Sequence, residues 1–217
     1  MQVQGSGPVR LLVSDCSAEL RIRGMAHYAR DEIFPGSERR LLGDGRLSVT
    51  LEDMKSGKFY QSLVPLEGET LEEIFAHYLS QSEQLPAYLR LYADGGAAAG
   101  LLLEKLPGAD SRDPDGWNRV THFANTLTLQ ETRDVQPYDL LTRIFPEELM
   151  RVFRLYAVEY HCPYDEDKVK DMLRGLGREE VESILAEQGE VVIRNEMCNH
   201  EYRFDAAAVA RLFATHH

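Results

Sequence analysis

The sequence predicts an α+β protein: an antiparallel-sheet core domain with covering helices over residues 1–116, a helical connector over 117–158, and a small mixed α/β carboxy-terminal domain over 159–217. Three observations predict it. Short runs in the first third alternate apolar and polar residues between turn signals, apolar residues recur at helical spacing from Trp117, and the tail holds both patterns in one short stretch.

Taken in order, residues 9–13 and 20–22 are short apolar or alternating stretches that read as strands. Leu47, Val49 and Leu51 alternate with Ser48 and Thr50, and residues 59–64 follow Lys55-Ser56-Gly57-Lys58 as the partner strand of a hairpin. Thr70 is placed to cap a helix whose Leu71, Ile74, Phe75 and Tyr78 share one face, with Glu73 at the reciprocal capping-box position. That helix should cover the sheet. After Pro86, residues 88–92 and 99–106 flank Asp94-Gly95-Gly96 as a second hairpin, and residues 107–116 form a polar breaker. Val120, Phe123, Ala124, Leu127, Leu140, Leu141, Ile144, Leu149, Val152 and Phe153 then set a helical period, interrupted at Pro137 and Pro146. In the tail, Val169, Met172, Leu173 and Leu176 mark one helix and Val181, Ile184 and Leu185 a second. Strands follow at 190–194 and 202–204, and Asp205 caps a last helix. The acidic pairs Glu72-Glu73, Glu147-Glu148 and Glu179-Glu180 fall in helix-opening turns, where they complement the helix dipole, and are read as solvated caps rather than catalytic pairs.

Composition removes several classes of function. With 217 residues and 43% hydrophobic content the chain can build a sizeable core. Its 36 acidic residues against 24 basic ones give a net charge of -12, which repels phosphate backbones and argues against a nucleic-acid partner. No apolar run nears the roughly 20 residues of a membrane-spanning helix, and the first ten residues lack the basic-then-apolar order of a signal peptide. Three cysteines, Cys16, Cys162 and Cys198, are too few and too scattered for a secreted disulfide framework and point to a reducing cytoplasm. Gly5-Ser6-Gly7 leads into strand-like sequence without the Lys-Ser/Thr ending of a phosphate loop, so it reads as a turn. Cys16 follows an apolar strand with no base nearby, and His27, His77 and His122 have no sequence-local partner. No catalytic constellation is visible, and the chain is not read as an enzyme.

The tail holds two half-built knuckles, His161-Cys162-Pro163-Tyr164 and Asn195-Glu196-Met197-Cys198-Asn199-His200. A structural zinc takes four thiolate or imidazole ligands, usually as two closely spaced pairs, and here each knuckle offers one thiol. Two buried small apolar cysteines would look the same.

These knuckles resemble the carboxy-terminal redox domain of the bacterial redox-regulated holdase chaperones, the thirty-three-kilodalton heat-shock chaperonin family. The opening stretch 5–16, the phrase Ser82-Glu83-Gln84-Leu85-Pro86, the run 98–107, Trp117 and the stretch 139–145 extend the resemblance over nearly the whole chain. In that family the knuckles are Cys-x-Cys and Cys-x-x-Cys. Cys162 matches the first position and Cys198 the last, while Tyr164 and Asn195 stand where the other two cysteines are expected. Family members begin several dozen residues earlier, so the resemblance implies a chain that starts inside the core domain, as a fragment or from an internal start, with a sheet short of one element and an exposed edge.

The resemblance implies an ATP-independent holdase that binds unfolding client proteins in the cytoplasm and acts as a homodimer when active. In the family, oxidation of four zinc-bound thiols ejects the metal, and the tail and connector unfold. With half the ligands replaced, the tail here is a degenerate form of that switch. Cys162 and Cys198 remain the redox-active and metal-ligating candidates, with His161 and His200 as substitute ligands. The reading adopted is that no cofactor is held: Tyr164 and Asn195 fill the volume of the metal and bond each other or the nearby backbone. A Cys162–Cys198 disulfide would cross-link the knuckles instead of releasing them, so the sign of redox control could be reversed. Two other classes stay open, a metal-free interaction module without chaperone activity and an enzyme pairing Cys162 with His161 or His200.

Overall fold

Strand Gln2–Gly5 (β1) lies inside the main sheet, with antiparallel partners on both sides: Val9–Cys16 (β2), in register Val3↔Leu12, and Gly45–Asp53 (β4), in register Val3↔Leu47. Beyond β2 comes Arg21–Tyr28 (β3), and beyond β4 comes Lys58–Pro65 (β5), giving the order β5-β4-β1-β2-β3. The structure, a computed structural model, describes residues 1–32 and 36–214. These fall into two compact units, Met1–Val13 with Ala26–Tyr156 and Ser14–Met25 with Ala157–His217.

In the first unit, the short helix Glu38–Leu42 (α1) and the helix Leu71–Tyr78 (α2) close one side of the sheet. Val3, Leu42, Leu47, Val64, Leu66, Ile74 and Tyr78 form the core. Alternation places Val3, Leu47 and Val64 on one face because successive strand residues point to opposite sides. Arg39 locks the chain entering β4: its Nη1 donates to the carbonyls of Gly43 and Leu66, each at 2.9 Å, and its Nη2 to Asp44 Oδ1 at 2.6 Å. Thr70 caps α2 through the Glu73 N–H. The Glu73 carboxylate reaches one residue further back than a capping box requires and accepts the Glu69 N–H at 2.7 Å.

A hairpin of Ala87–Ala93 (β6) and Ala98–Glu104 (β7) forms a second sheet, its turn held by Asp94 Oδ1, which accepts the N–H groups of Gly96 and Ala97, each at 2.8 Å. After the single-turn helix Ala109–Arg112 (α3) come Gly116–Ala124 (α4), Leu129–Asp134 (α5) and Pro137–Ile144 (α6). Ala124, Leu127, Ile144 and Phe145 pack on Tyr88, Tyr92, Leu101 and Leu103 of the hairpin. Two hydroxyls tie the layers: Tyr88 Oη donates to Asn125 Oδ1 and Tyr92 Oη to the Leu127 carbonyl. Helix α5 carries a full capping box between Thr128 and Glu131, a signal the helical period of its neighbours had masked.

Two sequence expectations fail here. Residues 149–158 are neither helix nor strand, although Leu149, Val152 and Phe153 fit a helical period. Pro146 breaks the helix, and the run Arg151-Val152-Phe153-Arg154-Leu155-Tyr156 that follows carries β-branched and aromatic residues of low helix propensity. Glu147-Glu148 therefore opens no helix. Glu148 Oε1 instead accepts Arg119 Nε at 2.7 Å, while Arg119 Nη2 donates to Asp113 Oδ2 at the same distance, and this bond holds the Asp113 carboxyl below its ordinary pKa.

In the second unit, Glu159–Tyr160 (β8) runs parallel to β3 in register Arg21↔Glu159. Glu166–Leu176 (α7), Arg178–Gln188 (α8), Val191–Asn195 (β9), His200–Phe204 (β10) and Ala206–Leu212 (α9) follow. Their core is Leu173, Val181, Val191, Tyr202, Phe204, Val209 and Leu212. Asp165 and Asp205 cap α7 and α9 by accepting the N–H groups of Lys168 and Ala208. No helix of the described residues is long and apolar enough to cross a membrane.

Gly45 sits where β4 touches β1, and a Cβ there would fall 1.9 Å from the Gln4 carbonyl oxygen. Gly45→Ala is therefore expected to destabilise the first unit by about 1–3 kcal/mol, the usual cost of an overpacked position. Urea unfolding followed by Trp117 fluorescence checks it.

Candidate functional site

The site lies where the segment after β8 meets the β9–β10 turn. Upstream, the His161 N–H donates to the Ile22 carbonyl at 2.9 Å, continuing the β8 pairing with β3. Downstream, Asp165 begins α7. Across from this segment, residues 195–200 fold as an Asx-type turn: Asn195 Oδ1 accepts the Met197 N–H at 3.0 Å, and Asn199 adopts φ 56°, a left-handed conformation that asparagine tolerates. The turn brings Cys198 to Cys162. They are disulfide-bonded, with Cα atoms 6.1 Å apart.

Aromatic contacts surround the bond. Tyr164 stacks on Tyr202 with ring centroids 4.4 Å apart and 24° between planes, and the His200 ring lies 5.7 Å from that of Tyr164. Tyr202 is 1% exposed, and its hydroxyl accepts the Asp165 N–H at 3.0 Å. Three links, the disulfide, the ring stack and this hydrogen bond, thus join the same two segments. Tyr202 was read from sequence only as the start of a strand; its alternation with Phe204 marked it as inward-facing, but not as the platform for Tyr164.

Of the residues singled out from sequence, the fold brings together Cys162, Cys198, Tyr164 and His200, with His200 Nδ1 3.7 Å from Cys198 Sγ. Asn195 satisfies its carbonyl within its own turn, and Tyr164 is placed through its ring. His161 is exposed. Cys16 is a free, exposed cysteine near the end of the β2–β3 hairpin, and its thiol contacts the Ser17 carbonyl at 3.4 Å.

The donor set does not fit a structural zinc. Two sulfurs are spent on each other, Tyr164 brings a stacked ring rather than a soft donor atom, and the Asn195 carbonyl is taken by backbone. Among the described residues, no group of three or more His, Cys, Asp or Glu side chains is arranged to hold a metal ion. Elsewhere on this unit, hydrogen bonding from Glu166 holds the Lys170 ammonium above its ordinary pKa, and Glu201 with Glu190 does the same for the Arg203 guanidinium. These are solvated pairs of little energetic weight.

Residues 1–205 match the family described as Hsp33 protein. A 33 kDa chaperonin of Methylobacillus flagellatus is 39% identical over 216 residues, which cover 99% of this chain and 73% of that one. Another, from Pseudomonas paraeruginosa, is 37% identical over 220 residues, covering 99% and 74%. The crystal structure of the 33 kDa chaperonin from Thermotoga maritima matches with a TM-score of 0.79 at 23% identity, covering 97% of this chain and 75% of that chain, a likeness of fold.

The disulfide spans a sequence separation of 36 residues, and closing a loop of that length is worth about 3–4 kcal/mol in the chain-entropy estimate. Dithiothreitol, or Cys162→Ser with Cys198→Ser, is expected to lower the stability of the second unit by that amount. Tyr202→Phe should cost about 1 kcal/mol more through the lost hydrogen bond to Asp165. Native-state hydrogen exchange of amides in α7, α8 and β9 checks both.

Proposed function

This chain belongs to the Hsp33 family, and we propose on that footing that it is an ATP-independent holdase that binds segments of unfolding proteins and keeps them from aggregating. The observation that best supports this is the apolar surface carried outside the cores. Between α6 and β8, Leu149, Phe153, Leu155, Tyr156 and Val158 are all more than half exposed, on a run with no helix or strand of its own. Folded chains rarely leave so many large apolar side chains of one short run in water. A holdase uses it, because burial of apolar area is non-directional and accepts many client sequences. Arg151 and Arg154 lie over the rings of Phe153 and Tyr156, so each ring has one face covered by a cation until a client displaces it.

The proposed organisation is a chaperone core over 1–116, a linker over 117–158 and a degenerate switch domain over 159–217. The active form is proposed to be a homodimer in the cytoplasm, with no catalytic step. Cys162 and Cys198 are proposed as the redox-active pair. Their bond ties the two knuckles together, so oxidation tightens the switch domain and reduction loosens it, and family-type regulation is weakened or reversed in sign. Two thiolates and His200 bind zinc more weakly than four thiolates, so no resident metal is proposed.

Light scattering of a thermally denaturing client tests the main claim. Without nucleotide, the chain is expected to suppress scattering at several-fold molar excess; unchanged scattering would leave an interaction module without chaperone activity. Metal analysis under reducing conditions should find zinc well below one equivalent per chain. The double variant Tyr164→Cys with Asn195→Cys should bind one zinc, and failure of that folded variant to bind it would reject the ligand correspondence.

A further inference from the structure

The main sheet ends at β5, and the phase of its hydrogen bonds shows which backbone groups point outward. The Ser6 N–H donates to the Asp44 carbonyl on one side of the β4 segment, and the Leu66 N–H donates to the Gly45 carbonyl on the other. Carried through the register Arg46↔Pro65 to Asp53↔Lys58, this phase directs Tyr60, Ser62 and Val64 toward β4. The N–H and C=O groups of Phe59, Gln61 and Leu63, with the Pro65 carbonyl, face away from it. Among the described residues no strand pairs this edge.

The hairpin sheet treats its outer edge differently. The Leu91 N–H, on the side of β6 away from β7, is taken by Glu72 Oε1 at 3.2 Å. Along β5, Phe59 is 67% exposed and Leu63 57% exposed, and both share with Gln61 the face opposite buried Val64. An open edge with alternate apolar side chains is a template for one more strand.

We propose that the outer edge of β5 docks an extended apolar segment of an unfolding protein, which adds to the sheet through Phe59, Gln61 and Leu63; the identity of this occupant rests on the holdase reading. Its backbone would exchange hydrogen bonds with those three residues, and its β-branched or aromatic side chains would lie beside Phe59 and Leu63. A second copy fits less well. Antiparallel self-pairing about Gln61 sets Phe59 opposite Leu63, but Pro65 brings no donor and Lys58 adds a cation at the other end. So short a strip falls far below the roughly 800 Å² per partner of a stable interface. A weak, sequence-tolerant edge suits a client that must later be released.

The probe is a ten-residue peptide alternating Val or Tyr with Thr or Lys, added to the full chain. Binding is followed by fluorescence anisotropy, and amide exchange is followed along β5. The peptide should bind and slow exchange at Phe59, Gln61 and Leu63 while leaving Tyr60 and Ser62, already bonded to β4, unchanged. Gln61→Pro removes one outward donor without breaking a backbone bond to β4, at the loss of the Gln61 Nε2 bond to Thr50 Oγ1 at 3.1 Å, and should weaken binding about tenfold. Leu63→Lys keeps every backbone group and should weaken it at least as much. Absent protection, or wild-type affinity in both variants, overturns the proposal. Protection that appears without peptide and grows with protein concentration assigns the edge to a second copy and also overturns it. Peptide protection in a chain that fails to suppress client scattering supports the edge while removing the holdase reading, and intact suppression with no peptide protection does the reverse.

Discussion

The second unit depends on the covalent bond between Cys162 and Cys198. Its core is seven side chains from Leu173 to Leu212, which is little burial for a unit built from three helices and two short sheet fragments. Units of this size generally need a staple beyond their apolar core. Here the staple joins the segment that follows a two-residue strand to a turn supported by its own asparagines. Tyr202 carries the same junction from below, with its ring under Tyr164 and its hydroxyl on the Asp165 N–H. A cross-link and an aromatic stack thus hold the junction between the two knuckles.

The first unit meets the opposite constraint: it keeps its sheet intact while leaving apolar residues in water. Arg39 and Gly45 fix the crossing of β1, β4 and α1 with little tolerance for change. Phe59 and Leu63 on β5 remain exposed, as does the run after Pro146. A net charge of -12 offsets the tendency of such surface to self-associate, because like-charged copies repel at long range. Stickiness toward neutral or cationic unfolded segments survives that repulsion, since burial of apolar area is insensitive to sign.

Much of the fold was legible because local patterns and tertiary contacts agree. The β4–β5 hairpin, the Asp94 turn, the Thr70 cap, the two tail helices and the Asp205 cap each follow from residues close together in sequence. Legibility failed where a local pattern was overridden or too short. Residues 149–158 carry apolar positions that fit a helical period, but the break at Pro146 precedes them and they form neither helix nor strand. Strand β1 was invisible for a related reason: four residues are too few to display alternation, and their place is set by partners on both sides.

The sequence by itself determined the class of fold, most of the element order and, through resemblance, the family, because each is a matter of residue type at a given spacing. It also placed Cys162 and Cys198 in one site, through resemblance. Only the tertiary structure decided that they are bonded, that Tyr164 is held by Tyr202 rather than by Asn195, and that β5 ends the sheet with its backbone open. These depend on distances between segments far apart in the chain, and no local propensity encodes a distance across a fold.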